Sequence, residues 1–247
     1  MSKLFTTLHL YFWPIVNNLS LITVLPMTKQ ILLTEDGSYT VSIPEMNITY
    51  HNRHGALQES VHIYMVCGFQ YALPFINSKT IAVFEMGFGT GLNALLTLQE
   101  AIRLQRKVYY YTTELFPLTI EEAQSLQQDK LLDTGNLSMQ LHEAAWEEDV
   151  LINEYFILHK TKQSLLELTL KTQFDVVYFD AFAPTVQPEL WTEAVFAHLY
   201  QHLNPNGVLV TYSSKVTVRK AMQAVGFVVE KLAGPKGKAE IVRALKK

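Results

Sequence analysis

The chain has 247 residues, 49% of them hydrophobic, and a formal net charge of −3. It is long enough to bury one sizeable core, and too apolar and weakly charged for a disordered chain or a general nucleic-acid coat. A single cysteine, Cys67, excludes an internal disulfide framework and argues against a Cys–His metal site. The net charge hides an asymmetry. Residues 215–247 hold nine Lys or Arg against two Asp or Glu, whereas the rest of the chain is acidic. The basic segment can supply phosphate contacts that the acidic body cannot.

Residues 4–25 carry no Asp, Glu, Lys or Arg and are long enough to span a bilayer. His9, Pro14, Asn17 and Asn18 interrupt the apolar run, and Thr23-Val24-Leu25-Pro26 is a poor signal-peptide cleavage site. The expectation is an N-terminal extension over 1–26, either disordered or upstream of a true start at Met27. The mature protein is then expected to be cytoplasmic, with no stable membrane association.

Residues 27–78 read as a small β-rich attachment. Strands are expected at 30–34 and 39–43 around the turn Asp36-Gly37-Ser38. Ile48-Thr49-Tyr50, a loop and an amphipathic stretch through Val66 follow. Tyr50, His51 and Glu59 are candidates to cover a site in the next domain.

Residues 79–247 alternate strands and helices. Strands are expected at 81–84, 108–113, 155–158, 174–179 and 208–212. Helices are expected at 92–104, after Pro117, and at 162–171, 188–203 and 215–225. Such alternation implies a mainly parallel sheet covered by helices. The last two strands, 227–233 and 239–245, are joined only by the loop Gly234-Pro235-Lys236-Gly237-Lys238, so they must be antiparallel. The expected fold is α/β and Rossmann-like, a mainly parallel sheet ending in an antiparallel hairpin, with the small attachment at its N-terminus. That ending resembles the class I S-adenosylmethionine methyltransferase fold rather than a dinucleotide-binding domain.

The turn Glu85-Met86-Gly87-Phe88-Gly89-Thr90-Gly91 follows a strand and opens a helix, the context of a nucleotide-type loop. A dinucleotide fingerprint needs Gly or Ala three residues after Gly89, where Leu92 stands. The third glycine is Gly91 instead, which points to S-adenosylmethionine. Glu85 can anchor the methionine amino group, Gly87, Gly89 and Gly91 allow close approach, and Glu114 at the next strand end can accept from ribose hydroxyls.

The fourth strand runs into Asp180-Ala181-Phe182-Ala183-Pro184. Ligands bind beyond the carboxyl ends of parallel strands. Asp180 is therefore the candidate catalytic residue, orienting an amine and taking up its proton. Phe182 can stack on a flat base and Pro184 can stiffen the loop.

These motifs, with Leu92-Asn93, Pro188-Glu189-Leu190-Trp191, Thr211-Tyr212-Ser213-Ser214 and the glycine-lysine loop at 234–238, resemble the MnmC/MnmD family of tRNA methyltransferase domains over about residues 30–245. The resemblance implies methylation of the exocyclic amine of 5-aminomethyl-(2-thio)uridine at the tRNA wobble position, and adds Asn93 to the cofactor set. It makes Trp191 a candidate either for base contact or for packing the following helix, and Lys215, Arg219, Lys236 and Lys238 candidates for tRNA phosphate contact. With the chain ending at Lys247, the expected activity is methyl transfer without the family's FAD-dependent oxidase domain. One departure stands out: the family's Gly-Asp at the third strand end is replaced within Leu158-His159-Lys160-Thr161.

Two other classes compete. One is a non-catalytic methyltransferase fold that binds RNA or a partner. The other is a polyamine aminopropyltransferase, which the basic final segment disfavours. His198 and His202 stand four apart on a helix but have no evident acidic third ligand, so no metal is expected.

Overall fold

The computed structural model describes residues 28–247. The expectations for residues 1–26 lie outside the described residues, among which no helix is long and apolar enough to cross a membrane.

Strands β1 (Gln30–Leu33), β2 (Tyr39–Ile43) and β3 (Ile48–Thr49) form a small antiparallel sheet. Leu33 faces Tyr39 across the Asp36–Gly37 turn. Helix α1 (Ala56–Ser60) follows and continues as a wide-turned π-type helix, Val61–Gln70. Wide helical turns are rare and concentrate near functional sites. Gly68 lets this helix lie close on the sheet, since a Cβ there would stand 2.8 Å from Val210 Cγ2. Ile63, Tyr64 and Phe69 share one buried cluster with Val83, Val176 and Val210. Residues 28–78 therefore supply both the small sheet and one helix of the main body.

The main sheet comprises β4 (Thr80–Met86), β5 (Lys107–Thr113), β6 (Asp149–Asn153), β7 (Phe156–Thr161), β8 (Phe174–Phe179), β9 (Leu203–Thr211), β10 (Val228–Ala233) and β11 (Glu240–Leu245). Their order is β10-β11-β9-β8-β4-β5-β7-β6. The β7-β5-β4-β8-β9 run is parallel; β11 is antiparallel to both β9 and β10, giving the expected terminal hairpin. Side chains alternate across this sheet. Val83, Val176, Tyr178, Val208 and Val210 face one helical layer, with α2 (Leu92–Leu104) and the Val61–Gln70 helix. Phe84, Val177, Phe179 and Leu209 face the other, with α6 (Glu193–Gln201) and α7 (Val216–Ala224). Strands buried on both faces read as near-continuous apolar runs, as in Phe174–Phe179.

Several local expectations change. Residues 162–171 form no helix: one turn closes at Ser164, and Leu165, Leu168 and Leu170 pack individually into the core. The helix after Pro117 is three short pieces, α3 (Ile120–Ser125), α4 (Gln128–Leu132) and α5 (Leu137–Glu143). Gln127 and Asp133, both at positive φ, break the run. The helix expected at 188–203 is a 3-10 turn, Pro188–Trp191, followed by α6, because Thr192 caps α6 through Val195 N. Strand β6, whose mixed polarity hid it, pairs antiparallel with β7.

The strand order reverses at β4, which lies between β5 and β8. A crevice opens at such a point beyond the strands' carboxyl ends.

Candidate active site

Glu85, the penultimate residue of β4, is fully buried. Its Oε1 accepts from Asn93 Nδ2 at 3.0 Å and its Oε2 from Thr112 Oγ1 at 3.1 Å. Burial, then the nearby Asp180 charge, raises its pKa well above the usual carboxylate range. After it the chain turns sharply: Gly87 N donates to Thr113 O, and Gly87, Gly89 and Gly91 all have positive φ. At Gly91, φ +72°, a Cβ would also meet Phe88 Cζ at 3.0 Å and His142 Nε2 at 3.1 Å. Glu114, following β5, clamps the turn. One oxygen accepts from Gly89 N at 3.0 Å and the other from Phe116 N at 2.8 Å.

Asp180 follows β8, directly across from the turn, and its N donates to Met86 O. Its Oδ1 accepts from Tyr64 Oη at 2.6 Å and its Oδ2 from Asn93 Nδ2 at 3.1 Å. Burial raises the Asp180 pKa to about 7, against the opposing hydrogen bond from Tyr64. The loop beyond is clamped at each step. Tyr212 Oη donates to Ala181 O at 2.8 Å, Phe182 N donates to Gln187 Oε1 at 3.0 Å, and Trp191 Nε1 donates to Phe182 O at 2.8 Å.

Between turn and loop lies a cavity of about 580 Å³. Gly87–Thr90, Leu92 and Asn93 line one side, Glu114–Phe116 another, and Asp180–Ala183 and Tyr212 the floor. The N-terminal unit roofs it with Tyr50, His51 and Glu59, and the β10–β11 loop contributes Lys238. Tyr50 lies over Gly89 and packs edge-on against Phe182, ring centroids 5.4 Å apart. His51 is buried against Thr40, and burial lowers its pKa.

Of the residues singled out in the sequence, Gly87, Gly89, Asn93, Glu114, Asp180, Phe182 and Lys238 line this cavity. Glu85 stands behind it and reaches it through Asn93. Gly91 shapes the turn from outside the lining. Trp191 is buried in the core against Phe179 and Phe196, too deep to stack on a base; it braces Phe182 through the backbone. Pro184 is half-buried outside the lining. Lys215 and Arg219, at the start of α7, and Lys236, which pairs with Glu35, stand outside it as well. Tyr64 is the residue that sequence reasoning passed over. It sits 116 positions from Asp180 inside an apolar stretch, and only the folded helix brings its hydroxyl to the carboxylate. At the third strand end, Lys160 is buried and donates to Leu141 O and His142 O, with Trp146 over its ammonium at 4.6 Å. Lys160 thus holds α5 in place. Among the described residues no cluster of three or more His, Cys, Asp or Glu could hold a metal ion.

Residues 121–247 match the family model described as S-adenosyl-L-methionine-dependent methyltransferase. The chain belongs to this methyltransferase family. It is 29% identical over 227 residues to the tRNA 5-methylaminomethyl-2-thiouridine biosynthesis bifunctional protein MnmC of Campylobacter fetus subsp. fetus, covering 85% of this chain and 34% of that protein. The MnmC of Pseudomonas paraeruginosa is 27% identical over 217 residues, covering 78% and 31%. The chain thus spans about a third of the length of the curated relatives it matches. Among solved structures, MNMC2 from Aquifex aeolicus superposes with a TM-score of 0.70 at 23% identity, covering 90% of this chain and 71% of that one. Spermidine synthase from Thermotoga maritima gives 0.59 at 17%, covering 89% and 69%. At such identities the structural likeness establishes the fold.

The cofactor of this methyltransferase family is S-adenosylmethionine, and the residues at the turn suit it. Asn93 is 3% exposed. Both of its amide hydrogens are drawn to carboxylates, while its Oδ1 has no hydrogen-bond partner among the described residues. A buried amide oxygen left without a donor is costly, and a ligand ammonium would satisfy it. The oxygens of Glu114 each keep a lone pair beyond the backbone donor they already have, which suits a ribose diol.

Proposed function

We propose that this methyltransferase N-methylates the exocyclic amine of a 5-aminomethyl-(2-thio)uridine at the wobble position of tRNA. The observation that carries the reading is the Asp180 carboxylate, held on the cavity floor by Tyr64 and Asn93, beside the glycine turn and below the Tyr50–Phe182 aromatic pair. The likeness to the MnmC proteins, named for tRNA 5-methylaminomethyl-2-thiouridine biosynthesis, supports this choice of substrate.

S-adenosylmethionine, when bound, supplies an electrophilic methyl group on a cationic sulfur. Asn93 Oδ1 and the backbone of Gly87 and Gly89 would hold its amino-acid portion, with Glu85 fixing Asn93 from behind, and Glu114 would hold the ribose. Asp180 accepts hydrogen bonds from the acceptor's ammonium and then a proton, which frees the nitrogen lone pair. Its raised pKa, about 7, brings it towards that of an alkylamine and eases this transfer. Tyr64 and Asn93 keep the carboxylate aimed, so much of the rate gain is alignment. Phe182 and Tyr50 form an aromatic wall against which a flat base can stack. Lys215, Arg219 and Lys236, outside the cavity, are the proposed phosphate contacts, and the protein is proposed to work in the cytoplasm.

The decisive experiment is mass spectrometry of tRNA nucleosides after incubating purified protein with S-adenosylmethionine and tRNA carrying the unmethylated aminomethyl group. Conversion to the methylaminomethyl nucleoside is expected; unchanged wobble nucleosides would refute the reading.

A further inference from the structure

We propose that Lys238 reads the pyrimidine ring itself, its ammonium donating to the ring carbonyl oxygen next to the carbon that bears the aminomethyl group, while Asp180 holds the amine. This rests on the substrate reading above and places Lys238 in base recognition instead of among the phosphate contacts. Lys238 lines the cavity and its side chain is only 24% exposed. Its Nζ lies 3.2 Å from Glu59 Oε1, and Glu59 is itself buried, with its other oxygen accepting from Asn52 N at 2.6 Å. The same ammonium stands 4.5 Å from the Tyr212 ring centroid. Tyr212 in turn donates to Ala181 O, one residue beyond Asp180. Lys238 is thus fixed to the frame that carries Asp180, and its charge stabilises the Asp180 carboxylate. Lys236, two residues earlier, shows the contrasting case: its side chain is 62% exposed and pairs with Glu35 at the surface.

An ammonium has three donors and no acceptor. Glu59 takes one, which leaves donors for a ligand in the cavity. On a 5-aminomethyluracil, the C4 carbonyl oxygen and the C5 substituent sit side by side on one ring edge. A cation beside a carboxylate is the complementary reader of that edge. On cytosine the same position presents an amino group, which gives Lys238 a donor where it needs an acceptor.

The test uses the purified full chain with two anticodon stem-loops, one carrying 5-aminomethyluridine and the other 5-aminomethylcytidine. Methyl-transfer kcat/KM and the salt dependence of stem-loop binding are measured for wild type, K238M and K236M. K238M should lower kcat/KM on the uridine stem-loop by about 30-fold and narrow the uridine-over-cytidine preference. Its salt slope should stay at the wild-type value. K236M should keep the preference and lose about one unit of salt slope. An unchanged preference in K238M, or a salt slope that falls by about one, overturns the proposal. S-adenosylhomocysteine binding by calorimetry checks that K238M is folded. If it is not, E59Q decides, since releasing Lys238 must weaken the preference and an unchanged preference overturns the proposal. Wild type that methylates neither stem-loop would instead sink the substrate reading.

Discussion

Asp180 has the Tyr64 hydroxyl on one oxygen and the Asn93 amide on the other, and yet burial holds its pKa near 7. Its ionised form is the one that takes a proton, so kcat/KM should rise with pH through a limb near 7, because that parameter reports the free enzyme. Tyr64→Phe removes a donor that favours the ionised form. The limb should move to higher pH, with activity lost at pH 7 and partly recovered at pH 9; an unmoved limb would remove Tyr64 from the proposed machinery. Asp180→Asn should cost about 10²–10⁴-fold in turnover while calorimetry shows cofactor binding retained. The same change should alter stability with a definite sign. The folded pKa is raised from 3.8 to about 7, so the folded state binds the proton more tightly. That contribution is complete below pH 3.8 and is lost as pH rises towards 7. Asn does not titrate, so Asp180→Asn should gain up to about 4 kcal/mol over wild type at pH 8 relative to pH 4, read from thermal melts at the two pH values.

The elements position these residues by close packing. The Val61–Gln70 helix brings the Tyr64 hydroxyl to Asp180 only because Gly68 lets it settle against Val210 and Tyr178. Gly68→Ala places a methyl 2.8 Å from Val210 Cγ2, on a stiff β-branched side chain that cannot turn aside. The expected cost is about 1–3 kcal/mol in chemical denaturation. Methyl transfer should fall as well, because the helix can relieve the contact only by lifting Tyr64 from Asp180. Wild-type turnover in a destabilised Gly68→Ala protein would show that the Tyr64 contact does not matter for the reaction.

At the scale of the whole molecule, charge is segregated: the acidic body carries the cavity and the basic residues 215–247 contribute the α7 face and the β10–β11 loop beside it. On the proposed function, a tRNA drawn to that face would lay its phosphates over α7 and its reacting base in the cavity. The double change Lys215→Met, Arg219→Met should therefore weaken tRNA binding about equally for every sequence and lower the salt slope by about two units. An unchanged slope in filter binding across a salt series would move the phosphate path elsewhere.

The glycine turn, the strand that precedes it and the antiparallel ending were legible in the sequence because each depends on local rules. A positive φ selects glycine at 87, 89 and 91, fully buried strands read as apolar runs, and a five-residue loop leaves no room for a crossover. Strand β6 and the broken 120–143 helices were not legible, since tertiary packing overrides weak local preference there. Nor were the partners of the site. Tyr64 and Asp180, Asn93 and Asp180, and Glu59 and Lys238 are each separated by at least 87 positions, and no pattern in a linear chain couples groups that far apart. The sequence by itself determined the fold class and the turn that suits the cofactor. Only the tertiary structure decided that Trp191 braces the loop from the core, that Glu85 stands behind the cavity bonded to Asn93, and that Lys238 faces the cavity. Burial and hydrogen-bond partners are properties of the folded neighbourhood, not of residue type.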